Sequence, residues 1–107
     1  MALLGATGCH SAFVEATIVN QTGAPLRLVE LDYPSASFGK GELANGATFR
    51  YRFKVLGTGT AKLTWTDPHE KELNSAGPVL REGDEGPLAV TIGADGAHWS
   101  SDLHAIH

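Results

Sequence analysis

The stretch Phe49-Arg50-Tyr51-Arg52-Phe53-Lys54-Val55 decides the fold. Phe49, Tyr51, Phe53 and Val55 share one parity and Arg50, Arg52 and Lys54 the other. Side chains of a strand point alternately to its two faces, so this period of two predicts a strand with one face on a core and the other in water. The next apolar run, Ala61-Lys62-Leu63-Thr64-Trp65-Thr66, follows Gly57-Thr58-Gly59 and repeats the period with Ala61, Leu63 and Trp65 inward. The two runs read as a hairpin.

Outward from this pair the same period recurs. Residues 13–20 alternate Val14, Ala16 and Ile18 against Glu15 and Thr17, and end in the turn Asn20-Gln21-Thr22-Gly23. Residues 25–33 place Leu26 and Leu28 on one parity and Val29, Leu31 and Tyr33 on the other, which predicts a bulge near Leu28-Val29. Residues 87–92 put Leu88, Val90 and Ile92 inward, and Gly93-Ala94-Asp95-Gly96 turns the chain into Ala97-His98-Trp99-Ser100 as a C-terminal hairpin, with Trp99 favoured as a core residue. Weaker strands are expected at 37–43, 71–75 and 79–81. A lone sheet would leave one apolar face wet, so the expected fold class is all-β, a single antiparallel β-sandwich of seven to nine short strands. The layout over residues 12–101 resembles small immunoglobulin-like and fibronectin III-like domains. That resemblance implies architecture alone, with Trp65 and Tyr51 as core aromatics.

The chain has 107 residues, enough for one small domain, with 8 Lys and Arg against 12 Asp and Glu for a net charge of −4. This balance argues against a general affinity for nucleic acid or anionic lipid. A single cysteine excludes a disulfide framework and a Cys-based zinc site. That residue, Cys9, follows an uncharged stretch, Ala2-Leu3-Leu4-Gly5-Ala6-Thr7-Gly8, and precedes His10-Ser11. Ala6-Thr7-Gly8-Cys9 resembles the lipobox of bacterial lipoproteins. The resemblance implies that Cys9 carries diacylglycerol and begins the mature chain. Residues 1–8 are then the remnant of a signal peptide, residues 9–11 a tether and residues 12–107 the sandwich domain. Eight residues are too few for a complete signal, with its basic segment and apolar core of roughly 7–15 residues, so Met1 reads as an internal or engineered start. Two or three acyl chains hold a protein firmly at a membrane, at about 0.8 kcal/mol per buried CH₂. The implied address is the cell envelope of a diderm bacterium, on the periplasmic side of the inner or outer membrane.

Charge is segregated along the chain. Residues 40–62 carry net +4 and residues 67–107 net −6. Arg50, Arg52 and Lys54 share a face, and Lys62 on the neighbouring strand of the expected hairpin extends it. This strip is the candidate partner-binding surface, suited to an envelope protein or an anionic glycan; a merely solvated outer face explains it as well. Nucleic acid is not expected, because the aromatics of this strand point inward.

The histidines His98, His104 and His107, with Asp102 between them, offer a second reading as a metal-binding periplasmic domain, since imidazoles with a carboxylate suit Zn²⁺ or Cu²⁺. No motif fixes their spacing. Glu82-Gly83-Asp84-Glu85-Gly86 could present carboxylates to Ca²⁺, but it lacks an EF-hand register and reads as an exposed turn. Asp67-Pro68-His69-Glu70 places an imidazole between carboxylates, although Asp-Pro at the end of a strand is turn chemistry. Ser35 and Ser37 have no His or Lys near them in sequence, and no nucleophile elbow, phosphate loop or zinc-protease signature occurs. The expected function is therefore a non-enzymatic binding or assembly module without cofactor, whose oligomeric state the sequence leaves open.

Overall fold

The computed structural model describes residues 12–105. Cys9, the tether and His107 lie outside them. Among the described residues nine strands follow one another: β1 (Val14–Gln21), β2 (Leu26–Tyr33), β3 (Ala36–Leu43), β4 (Thr48–Phe53), β5 (Gly59–Thr66), β6 (Glu72–Leu80), β7 (Asp84–Gly93), β8 (Gly96–Ser101) and β9 (His104–Ala105). They form two packed sheets. One has the order β4-β1-β7-β8, with β9 added to the start of β7, and the other β3-β2-β5-β6. The all-β sandwich expected from the alternation is thus present.

The inner faces follow the parity of the sequence. Val14, Ala16 and Ile18 of β1 and Leu88, Val90 and Ile92 of β7 meet Leu26, Val29 and Leu31 of β2 and Ala61, Leu63 and Trp65 of β5, all buried. Fully burying an aliphatic side chain of this size is worth about 1.5–3 kcal/mol, so these four central strands carry most of the cohesion.

Several expectations need correction. The pairing is not wholly antiparallel: β1 and β7 run parallel, with Val14 opposite Gly86 and Gln21 opposite Gly93. The runs 49–55 and 61–66 do not form a hairpin. β4 pairs with β1 in one sheet, while β5 lies between β2 and β6 in the other. Both strands have an apolar inner face, and those faces are satisfied as well across the sandwich as side by side; the segment after Phe53 makes the crossing with Val55 buried. The weak strands at 71–75 and 79–81 are one strand, β6, which runs through Gly77-Pro78. Proline is tolerated there because β6 is an edge strand. In the immunoglobulin constant-type arrangement the first two strands lie side by side in one sheet, whereas here β1 and β2 lie in different sheets.

The bulge in β2 occurs where the parity switch places it. Register shifts between Arg27 and Glu30, and Leu28 takes φ 51° with its side chain 63% exposed. Turning one residue into the left-handed region lets Leu26 and Val29 both reach the core, three positions apart.

Aromatic side chains close the two sides of the sandwich. On the β3 and β4 side, Phe38 stacks on Tyr51 at 4.3 Å between centroids and Tyr33 stacks on Phe53 at 4.2 Å. Tyr51 lies there on an edge strand and is 45% exposed, so it is an edge aromatic instead of the core residue expected. On the β6 and β8 side, the indole N–H of Trp99 donates to Ser75 Oγ at 2.9 Å. Its ring covers Gly77, where a Cβ would come within 2.7 Å of three ring carbons. Trp99 is only half-buried, packed against the core from its margin.

Candidate binding cleft

One pole of the sandwich gathers three turns that are distant in sequence. These are the turn from β1 to β2, the turn from β5 to β6 and the turn from β7 to β8. Parallel pairing of β1 with β7 brings their C-terminal ends, and so the first and third of these turns, to the same pole. The antiparallel pairing of Arg27 at the start of β2 with Thr66 at the end of β5 adds the second.

Asn20 anchors the first turn. It is fully buried, and its Nδ2 donates to the carbonyls of Ala24 at 2.8 Å and Leu43 at 2.9 Å. Its Oδ1 accepts from the backbone N–H of Thr22 at 3.0 Å and from Thr22 Oγ1 at 2.8 Å. Its backbone exchanges two further bonds with the turn between β3 and β4, to Ala47 and from Gly46. Among the described residues no buried side-chain nitrogen or oxygen lacks a partner.

The second turn is held by Asp67, whose Oδ1 accepts the backbone N–H groups of His69 at 2.8 Å and Lys71 at 2.9 Å. The hydrogen bond from Lys71 is the main reason that the Asp67 carboxyl sits below its ordinary acidity range. Across the pole, Asp95 in the third turn accepts from the His98 ring at 2.9 Å, and this bond lowers its pKa in the same sense. Both aspartates are therefore anions at neutral pH.

Between these turns the two sheets part into a cleft of about 700 Å³. Leu26, Trp65, Leu73 and Ala97 give it an apolar floor, and Thr22, Asp67, His69, Asn74, Ser75 and Asp95 supply polar groups. The volume lies within the range of about 300–1,000 Å³ typical of small-molecule sites, as does the mixture of apolar lining and a few polar groups.

The strip expected at Arg50, Arg52, Lys54 and Lys62 is not continuous. Arg50 and Arg52 stand on β4, opposite Thr17 and Glu15 of β1, and Lys54 follows the end of that strand. The Arg52 guanidinium lies 4.1 Å from the centroid of the Phe13 ring. Lys62 belongs to β5 in the other sheet, opposite Asp32. There Asp32 is held above its ordinary pKa, first by partial burial and then by the neighbouring Glu30, with Lys62 partly countering both. The separation follows from the absence of the hairpin.

His98 and His104 do not converge either, and His107 lies outside the described residues. His98 lies opposite Thr91 and His104 opposite Glu85, six positions apart on β7 or about 20 Å at strand rise. His98 is engaged with Asp95, and His104 Nε2 lies 3.8 Å from Glu85. Among the described residues no group of three His, Cys, Asp or Glu side chains is gathered for a metal ion. The acidic loop also divides its carboxylates. Buried Asp84 accepts the N–H of Arg81 and Glu82 accepts the N–H of Gly57, so the loop ties strands together instead of surrounding one point. Ser35 Oγ accepts the backbone N–H of Leu56.

The cleft was not legible in the sequence because its residues come from three separate turns and the ends of the strands beside them. Asp67 and Asp95 were both legible as turn residues; that they flank one cavity depends on the strand order. Compared with known proteins, the chain matches no family model, no curated protein and no solved structure.

Proposed function

We propose that this chain is a non-enzymatic binding module of a bacterial cell envelope, tethered by a diacylglycerol thioether at Cys9 and binding its ligand in the cleft between the three turns. The polarity of the fold is the observation that supports this reading. Cys9 lies five positions before Val14, where β1 begins, and the cleft lies beyond Gln21, where β1 ends. Eight strand residues at about 3.3 Å separate the two poles by about 23 Å. A tether at the first pole leaves the cleft facing away from the membrane, open to the periplasm of a diderm cell. Resemblance to immunoglobulin-like domains holds on this reading for the two-layer architecture only, with a strand order of its own. The basic residues Arg50, Arg52 and Lys54 flank the body as a solubilising edge, which also guards β4 against wrong pairing.

The test is the intact mass of the N-terminal peptide from protein made in its own bacterium with the upstream reading frame retained, in membrane and soluble fractions. A peptide that begins at acylated Cys9 in the membrane fraction is the expected result. An unmodified peptide that retains Met1 or Ala2, in the soluble fraction, overturns the tether and the address.

A further inference from the structure

We infer that the cleft receives a small organic cation with an apolar body, an alkyl- or arylammonium compound. This inference rests on the binding reading above and adds the chemistry of the ligand. The first observation is the placement of charge. Asp67 follows β5 of one sheet and Asp95 follows β7 of the other, so a carboxylate stands on either side of the gap between the sheets. Among the described residues that line the cleft, none is Lys or Arg.

The second observation is the floor. Leu26 and Trp65, almost wholly buried, line the cavity together with Leu73 and Ala97, which are only half-buried and leave apolar surface accessible to a ligand. A floor of this kind favours an alkyl chain or ring, at about 25 cal/mol for each Å² of apolar surface removed from water. An anionic ligand would meet two carboxylates, and a wholly polar one would leave the floor wet.

The third observation is how each carboxylate is already used. The described hydrogen bonds to Asp67 and those to Asp95 each converge on Oδ1 of that side chain. Carboxylates accept at both oxygens, so the site retains acceptor capacity for an ammonium group, whose hydrogen bonds to carboxylates are charge-assisted. Lys71 and His98 stand beside the rim, where Lys71 gives its backbone N–H to Asp67 and His98 its ring to Asp95. Both contacts hold the carboxylates ionised.

The inference is tested by titrating three probes of equal chain length, n-hexylamine, 1-hexanol and hexanoate, into the ¹⁵N-labelled protein at pH 7 and low salt. Amide shifts are followed at Thr22, Asp67, Asp95 and Ala97. Hexylammonium is expected to saturate these shifts at about one tenth the concentration that hexanol needs, with hexanoate weakest. In the double variant D67N/D95N the preference for hexylamine over hexanol is expected to vanish. Asparagine keeps the Oδ1 acceptor that each turn uses, and an amide spectrum of unchanged dispersion with a cooperative thermal transition verifies the fold of the variant, whose midpoint falls by what the two charges contribute. Raising the ionic strength to about 0.2 M should weaken hexylamine and leave hexanol unaffected. Equal binding of hexylamine and hexanol, or preference for hexanoate, overturns the cation assignment while leaving the cleft as a site. If none of the three probes moves these amides, both the assignment and the binding reading fail.

Discussion

Replacing Asn20 with alanine removes two donated and two accepted hydrogen bonds from a fully buried position. These bonds do not all count equally. Thr22 is half-buried, and its one hydroxyl proton, released from Asn20 Oδ1, turns to the Ala24 carbonyl 2.9 Å away, so that carbonyl keeps a partner. The Leu43 carbonyl loses a buried bond for which the truncated side chain offers no substitute. A net bond is worth about 1 kcal/mol and a buried group left unsatisfied costs about 1–3 kcal/mol, which together give about 3 kcal/mol for N20A. For a domain of this size the thermal midpoint should fall by about 12–24 °C. Asn20→Asp is a sharper probe, because it keeps the shape and loses both donors. The carboxylate then faces two carbonyl oxygens, so its pKa rises on folding. Its destabilisation is greatest at neutral pH and shrinks as the pH falls and one oxygen regains a proton to donate. Urea denaturation followed by tryptophan fluorescence, at pH 7 and pH 4, measures both variants. A loss below about 1 kcal/mol for N20A, or a pH-independent effect for N20D, would refute the role assigned to this side chain. Because Thr22 and Ala24 line the cleft, N20A should also weaken any ligand bound there.

Three further outcomes follow from the packing and the charges. Gly77→Ala pushes a methyl group into the Trp99 ring and should cost about 1–3 kcal/mol with a changed near-ultraviolet tryptophan signal; an unchanged signal contradicts the contact. Leu28→Gly should raise stability by up to about 1 kcal/mol, since glycine occupies the left-handed region freely and the leucine is largely exposed; a lower urea midpoint would show that the side chain contributes packing. Asp67 and Asp95 have folded pKa values below their unfolded ones, near 3.9, so the stability that they contribute is present above about pH 4 and lost as the pH falls through the folded values. His98→Ala removes the chief cause for Asp95 and should flatten part of that acid loss, a difference that urea midpoints between pH 7 and pH 2 will detect.

Alternation made the strands, their inner faces and the bulge at Leu28 legible, because a side chain's parity is a local property. Assignment of strands to sheets is not local. The inner faces of β4 and β5 read identically whether the strands pair with each other or face each other across the core, and with that ambiguity Lys62 is parted from Arg50 and Arg52. The parallel partners Val14 and Gly86 are separated by 72 positions, and nothing in either segment names the other. Tyr51 shows a smaller failure of the same kind: its parity is inward, but only the strand order reveals that β4 is an edge. The cleft inherits all of this, since Thr22, Asp67 and Asp95 meet only through the parallel pairing of β1 with β7 and the antiparallel pairing of β2 with β5.

On the proposal that Cys9 is the attachment point, its separation from the cleft can be measured on unacylated protein without altering the sequence, because Cys9 is the single cysteine. A nitroxide attached to Cys9 broadens amide resonances by proximity. Strong broadening is expected at Val14, Phe53 and Asp84, near the start of β1, and sharp resonances at Thr22, Asp67 and Asp95. Broadening of the cleft amides equal to that at the start of β1 would contradict that separation.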